Sequence, residues 1–159
     1  MFQYDELIRA GFTGFKTVKQ MREGGLSLVP KADGIYVILY LNPSPAMPKF
    51  LGVGTGGYYN GKEPNVSVDF LKDNWVDGTP VVYIGKSNNI RRRLSEYMRF
   101  GEGKNVGHFG GRLIWQIPNS DNLVVCWKPT LENSRTVEAG LIQEFIAEFG
   151  KRPFANLQD

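Results

Sequence analysis

One carboxylate in this sequence lies where a charge is costly to bury. Helical periodicity puts Glu138 among Leu141, Ile142 and Phe145, on the apolar face of a helix predicted over 136–150. An unpaired ion there would be strongly destabilising, so this side chain needs a cation, a metal ion or helix-end donors. The alternative is a glutamate in the first turn of the helix that is satisfied by backbone N–H groups and the helix dipole.

A run of arginines at 91–93 follows the apolar run VVYI and a polar turn. In the helix predicted for SNNIRRRLSEYMRF, Arg93 borders the apolar stripe that begins with Ile90, whereas Arg92 and Glu96 form an i, i+4 pair on the opposite face. An arginine at such a border typically faces a fixed partner. A solvated helix face is the alternative for the triplet as a whole.

The loop before this helix could bind a phosphate. It begins at Gly85 and contains Lys86, so free backbone N–H groups and an ammonium group converge there. Charge is also polarised along the chain, because residues 86–104 contain six basic and two acidic side chains. The whole chain, at a formal net charge of +3, is only mildly basic and is weak evidence for a nucleic-acid partner.

Composition and length favour one soluble domain. The 159 residues are 42% hydrophobic and 22% charged, and no segment reaches the length of an apolar membrane span. The amino terminus carries Asp5 and Glu6 where a signal peptide has positive charge, so we expect a cytoplasmic protein that does not enter membranes. The single cysteine, Cys126, excludes an internal disulfide and a zinc–cysteine cluster.

The pattern of elements favours an α+β fold with a small central antiparallel or mixed β-sheet flanked by helices. Strands are predicted at 34–41 and 81–84, and a hairpin at 112–117 and 123–127. Residues 1–159 are expected to form a single domain, and its two additions are a helical extension at 1–33, with helices near 5–10 and 15–23, and an insertion at 42–80. Within the insertion, EPNVSVDFLKDNW offers a helix.

The insertion also contains GVGTGG at 52–57, which formally matches a dinucleotide-binding fingerprint. That motif works by presenting pyrophosphate to the N-terminus of the helix that follows it. Here YYNGKEP follows, and its Asn-Gly turn and proline oppose an immediate helix. We therefore interpret 52–57 as a turn-rich loop rather than a cofactor site.

Five sequence elements in order resemble the GIY-YIG nuclease superfamily, which includes the amino-terminal nuclease domain of a DNA-repair excinuclease, phage homing endonucleases and some restriction enzymes. The elements are GIY at 34–36, YIG at 83–85, Arg93, Glu138 on a later helix and the asparagine that ends RPFAN at 152–156. The segment YIGKSNNIRRRLSEY is especially similar to that of the excinuclease. The resemblance covers residues 34–41 and 81–159 and implies a GIY-YIG-like fold.

The resemblance implies a metal-dependent endonuclease that hydrolyses DNA phosphodiester bonds, with a role in DNA repair or restriction. The catalytic positions would be Tyr36, Tyr83, Lys86, Arg93, Tyr97, Glu138 and Asn156. Glu138 would be the ligand of one divalent ion, Mg²⁺ or Mn²⁺, and Arg93 would stabilise the transition state at phosphorus. Nucleic-acid contacts are expected from Lys86, Arg91, Arg92, Arg99, Lys104 and His108.

The expected partner is DNA rather than RNA, and the oligomeric state is left open. A tyrosine base is demanding, since a hydroxyl of pKa about 10 must be shifted by roughly three units to act near neutrality. The 46 residues between Tyr36 and Tyr83 exceed the usual spacing of the two motifs. His108 lies outside the motifs, and we favour a structural or phosphate-contacting role for it over catalysis. The alternative function is a catalytically inactive nucleic-acid-binding or interaction module on the same scaffold.

Overall fold

A computed structural model describes residues 1–42 and 46–157. It has an α+β fold built on a small four-stranded antiparallel sheet. The strands are β1 (Thr13–Thr17), β2 (Gly34–Leu39), β3 (Val81–Ser87) and β4 (Val124–Pro129). The α-helices are α1 (Tyr4–Arg9), α2 (Val18–Arg22), α3 (Val68–Asn74), α4 (Ile90–Phe100) and α5 (Ser134–Phe149), and short 3-10 segments span Gly25–Leu28, Phe109–Gln116 and Ser120–Asn122.

The sheet has the order β1-β4-β2-β3, so β2 is an inner strand. All six of its residues are buried, as its run of β-branched and aromatic side chains predicts. In the register of the sheet, Tyr36 lies opposite Gly85 on β3 and Trp127 on β4. The first motif tyrosine therefore sits directly beside the glycine of the second motif.

Alternation along the strands divides the core into two layers. On one face, Tyr36 and Ile38 of β2 pack with α4 and with the 3-10 segment Phe109–Gln116. On the other face, Ile35, Val37 and Leu39 pack with α1 and α5. Helices α4 and α5 therefore lie on opposite faces of the sheet.

The outer edge of β3 is covered by the chain after α5. The backbone N–H of Ala155 donates to the Val82 carbonyl at 2.8 Å. Next to it, the Asn156 side chain accepts from the Ile84 N–H at 2.9 Å and donates to the Ile84 carbonyl at 2.8 Å. The Asn156 amide thus pairs with both backbone groups of Ile84, as an added strand would.

The two long helices start at asparagine caps. The Asn89 side chain accepts from the Arg92 N–H at the start of α4, and Asn133 accepts from the N–H groups of Arg135 and Thr136 at the start of α5. Helix α5 ends at Gly150, whose φ of 80° is the left-handed conformation that favours glycine.

Two predictions about the elements are wrong. Residues 112–117 do not form a hairpin strand with 123–127, because 109–116 form a 3-10 segment, in which Leu113, Ile114 and Trp115 are buried. The helix predicted at 15–23 is divided, because 13–17 form the edge strand β1 and only 18–22 are helical.

The insertion contributes α3 and a long irregular stretch before it. No helix follows 52–57 until Val68, which agrees with a turn-rich loop and leaves no helix N-terminus for a pyrophosphate. Phe50 and Trp75 from this insertion pack on Phe154. Over the described residues, every helix is too short or too polar to cross a bilayer.

Candidate active site

The glycines of the two sequence motifs are required by close packing. A Cβ at Gly85 would overlap the ring of Tyr36, its cross-strand neighbour. A Cβ at Gly34 would meet the Lys128 carbonyl and the end of the Ile90 side chain. Each glycine thus allows an aromatic ring or a helix to lie directly on the sheet.

Tyr36, Tyr83 and Tyr97 form one aromatic cluster on the α4 face. The ring centroid of Tyr36 is 6.1 Å from that of Tyr83 and 6.2 Å from that of Tyr97, and Tyr83 and Tyr97 are 5.6 Å apart. Strand alternation places the first two on one side of the sheet, and the first turns of α4 bring the third beside them. Tyr83 is partly exposed, whereas Tyr36 and Tyr97 are buried.

His108 is buried against this cluster. Its Nε2 lies 2.7 Å from the Tyr36 hydroxyl, and its ring is stacked on Tyr97 with centroids 3.6 Å apart and an interplanar angle of 3°. The side chains of Tyr36, Tyr97 and His108 have at most 1% of their surface exposed. The Tyr97 hydroxyl in turn donates to the Gly111 carbonyl at 2.9 Å. A contact between His108 and DNA would therefore require the 107–111 segment to move.

Arg93 reaches the same place from α4. One of its Nη groups donates to the Gly107 carbonyl, and the guanidinium also interacts with the Tyr36 hydroxyl. Glu96 lies 3.6 Å from this guanidinium, so the acid predicted to pair with Arg92 instead pairs with Arg93. This hydrogen bond to the Gly107 carbonyl uses a guanidinium N–H that would otherwise be available to an anion.

Burial sets the protonation of the cluster. Desolvation raises the pKa of Tyr36 well above its usual value, and the proximity of Tyr83 adds to that rise while Arg93 opposes it. Desolvation likewise raises the pKa of Tyr97. Desolvation and then the Arg93 charge lower the pKa of His108 well below its usual value. In this conformation the hydroxyls of Tyr36 and Tyr97 and the imidazole of His108 are neutral, whereas a tyrosine base needs a lowered pKa.

Glu138 occupies the second turn of α5, one turn before Ile142, which packs on the sheet face opposite the tyrosines. Its side chain is partly buried. Helix α5 begins shortly after β4 pairs with Gly34, so the start of the helix lies at the end of the sheet that holds Gly34 and Ser87. By alternation from Ile84, Lys86 projects to the face of β3 on which α5 packs. Lys86 therefore lies on the face of the sheet that packs on α5, whereas Arg93 lies on the opposite face, with the tyrosines.

Asn156 holds β3 in place. Because both ends of its amide are hydrogen-bonded to Ile84, between Tyr83 and Gly85, it fixes the strand that carries the YIG motif. We assign it a positioning role; sequence alone suggested a catalytic one through the resemblance.

The predicted nucleic-acid-binding cations differ in their surroundings. The Arg91 guanidinium is hydrogen-bonded within the protein: its Nε donates to the Val29 carbonyl at 2.7 Å and an Nη donates to the Ser27 carbonyl at 3.0 Å. Arg92, Arg99 and Lys104 are exposed. The exposed cations therefore suit phosphate contacts better than Arg91 does.

A divalent ion would find few protein ligands here. The described residues contain no group of three or more His, Cys, Asp or Glu side chains that could hold a metal. Mg²⁺ commonly keeps several waters and binds through one or two carboxylates together with substrate phosphates. A partly buried carboxylate such as Glu138 fits that mode of binding, in which most of the coordination shell comes from water and nucleic acid.

Comparison with known proteins gave no relative: no family model, no curated protein and no solved structure matches the chain.

Proposed function

We propose that the chain is a metal-dependent endonuclease that hydrolyses DNA phosphodiester bonds at the cluster formed by Tyr36, Tyr83, Tyr97 and Arg93. The observation that supports this function best is their convergence. Two strands and one helix, carrying motifs far apart in sequence, bring three hydroxyl-bearing rings and one guanidinium to the same face of the sheet.

In this proposal Arg93 binds the scissile phosphate and stabilises the charge that develops on its oxygens, because its planar fork matches a phosphate. Water attacks phosphorus, the bond to one ester oxygen breaks, and the proton lost by water ends on the leaving oxygen or in solvent. The tyrosine hydroxyls orient the attacking water. A divalent ion held through Glu138 would supply charge neutralisation at the phosphate.

The orienting role follows from the protonation of the buried hydroxyl. Because burial raises the pKa of Tyr36, the neutral hydroxyl is the form present near neutral pH. A neutral hydroxyl can hold a water molecule by donating and accepting hydrogen bonds, whereas proton abstraction would require the anion. Tyr83, which is partly exposed, is the tyrosine nearer to solvent.

Cleavage of supercoiled plasmid in Mg²⁺ or Mn²⁺ tests the proposal. Glu138→Gln should lower the rate by about a hundredfold, because losing even a residue that orients a metal ligand costs about 10–100-fold. Glu144→Gln is the matched control, since it removes the same charge from an exposed position of the same helix. Equal rates in the two variants would assign the cleavage to a contaminant and overturn the proposed role of Glu138.

The second candidate is an inactive nucleic-acid-binding module on this scaffold. The burial of Tyr36 and Tyr97 beneath His108 favours it, because substrate cannot reach these side chains in the closed conformation. Absence of cleavage on any form of DNA, together with salt-dependent binding, would select this candidate.

Binding itself can be tested with a pair of neighbouring arginines. Arg92→Ala should reduce the slope of log affinity against log salt by about 0.9, the value for one lost phosphate contact on duplex DNA. Arg91→Ala should leave that slope unchanged, because the side chain is bound to carbonyls of the protein. If the slope of log affinity against log salt falls only in the Arg91 variant, the nucleic acid does not contact Arg92 as proposed.

A further inference from the structure

The segment 103–111, which we name the gate segment, contacts the tyrosine cluster through His108 and packs on the edge of the core through Val106 and Phe109. It is rich in glycine, and Gly103, Lys104, Asn105 and Gly110 are exposed. Within it only His108 and Gly111 are buried, and the His108 side chain makes the hydrogen bond and the ring stack that close the site.

Both ends of the gate segment are glycines at which regular structure breaks. Gly103 has a φ of 90°, which is left-handed, and Gly111 is a non-helical kink inside the 3-10 segment. Immediately after Gly111 the chain is anchored, since Leu113, Ile114 and Trp115 are buried. The part of the chain that can move as a lid therefore ends at Gly111.

The gate segment blocks the positions that the proposed reaction would use. The Gly107 carbonyl oxygen accepts from Arg93 where a phosphate oxygen would bind. The Tyr36 hydroxyl is hydrogen-bonded to His108, so it is not available to a water molecule. A phosphate is the stronger partner for a guanidinium than a neutral carbonyl, because the hydrogen bond is charge-assisted on both sides. A bound phosphate can thus displace the Gly107 carbonyl, and with it the gate segment, from Arg93.

The insertion supports the closed state. The Asn60 N–H donates to the Asn105 side chain at 3.1 Å, and the Tyr59 ring lies 6.5 Å from that of Phe109. The Asn60 contact is exposed, whereas Tyr59 and Phe109 both pack on the edge of the core, and the two contacts together restrain the gate segment.

We infer that the gate segment is an autoinhibitory lid, latched by His108, that the phosphate backbone of DNA opens by taking Arg93 from Gly107. The lid rests on the proposed function, since it regulates that site. Exposed Lys104 lies on it and exposed Arg99, whose carbonyl accepts from the Lys104 N–H, lies beside it, so these cations give the polyanion its first contacts.

Amide hydrogen exchange on the wild-type protein tests the lid without reference to cleavage. The His108 amide, which donates to the Val106 carbonyl, should exchange through a local opening, with a protection factor at least ~100-fold below those of the β2 and β4 ladder. Exchange of this amide only at the rate of global unfolding would overturn the lid.

His108 is the only histidine of the chain, which gives a second readout. Modification of its ring by diethylpyrocarbonate, located by peptide mass spectrometry, should be slow in the free protein and at least ~10-fold faster with a saturating duplex of about 20 base pairs. Protection or no change on adding this duplex would contradict opening by DNA.

Two substitutions separate the lid from the function. His108→Ala removes the stack and the hydrogen bond, so it should increase both gate-segment exchange and the initial rate of plasmid cleavage, whereas His108→Phe keeps the stack and should stay nearer to wild type. Faster exchange without cleavage in any variant would uphold the lid and refute the nuclease. Cleavage in wild type that disappears in both variants would refute the latch and make His108 part of the reaction.

Discussion

The two faces of the sheet are filled in different ways. The α5 face is packed by hydrophobic side chains such as Phe2, Ile142 and Phe145, and helix α5 also buries Ser134 at its start. The α4 face buries Tyr36, Tyr97 and His108 together with hydrophobic residues. Within the described residues, the buried Nδ1 of His108 has no hydrogen-bond partner.

Stability alone does not explain this difference. A buried polar atom without a partner costs about 1–3 kcal/mol, whereas an apolar ring of the same shape avoids that cost. The α5 face shows that this chain can pack a sheet face with hydrophobic rings and aliphatic side chains. We therefore interpret the hydrophobic core of the α5 face as the stabilising layer, and we assign binding and chemistry to the polar groups of the α4 face together with Glu138 near the start of α5.

The largest effect is expected on the apolar face. Phe145→Ala removes a fully buried ring that packs on Phe2 and Phe149, so it should lower the free energy of unfolding by about 3–5 kcal/mol. Urea denaturation measures this loss. Plasmid cleavage per folded molecule should be unchanged, and a loss of cleavage beyond the loss of folded protein would end the division of roles between the faces.

An intermediate effect is expected where the tyrosine lies against its glycine. Gly85→Ala places a methyl group on the Tyr36 ring and should cost about 1–3 kcal/mol through overpacking. Gly140→Ala is the control, because a Cβ there meets nothing within 4 Å and helix propensity should make it stabilising by up to ~1 kcal/mol. Equal free energies of unfolding for the two variants would refute the close approach of Tyr36 to β3.

A smaller effect is expected from pH, and only on the α4 face. Because the folded-state pKa of His108 is depressed, the unfolded chain binds a proton near pH 6.5 that the folded chain does not. Stability should be complete above that pH and fall between about pH 6.5 and 5, by at most about 1.4 kcal/mol per unit. The groups around this imidazole are Tyr36 and Tyr83 of the sheet and Arg93 and Tyr97 of α4.

His108→Phe is the control for this slope, since it keeps an aromatic ring and cannot titrate. Its free energy of unfolding should be flat over the same range of pH. A slope that survives in the variant would have to come from other groups, and the buried neutral state of His108 would then be wrong.

Much of the fold follows from local sequence. The runs 34–39 and 124–127 are β-branched and aromatic, and α4 and α5 carry clear apolar faces with asparagine caps, so these elements could be predicted. Strand β1 could not be predicted, because it is an edge strand that contains a bulge and two residues with positive φ, Gly14 and Phe15. The apolar run 112–117 has no period that separates a strand from a buried helical turn.

The candidate site was only partly predictable. The border position of Arg93 on its helix indicated a fixed partner, and the structure gives it the Gly107 carbonyl and Tyr36. The contact of His108 with Tyr36 joins residues 72 positions apart, and no local pattern encodes such a pairing. The one available signal was the glycine-rich sequence around His108, in which Gly111 permits the chain to lie close to Tyr97.

The most direct measurement is a crystal structure of the protein with a short DNA duplex and Ca²⁺, an ion that supports binding in place of Mg²⁺. We predict a phosphate oxygen within hydrogen-bonding distance of the Arg93 guanidinium, the Gly107 carbonyl displaced, and the Tyr36 hydroxyl released from His108. DNA bound on another surface, with His108 still stacked on Tyr97 and Gly107 still on Arg93, would contradict a phosphodiester site on the α4 face.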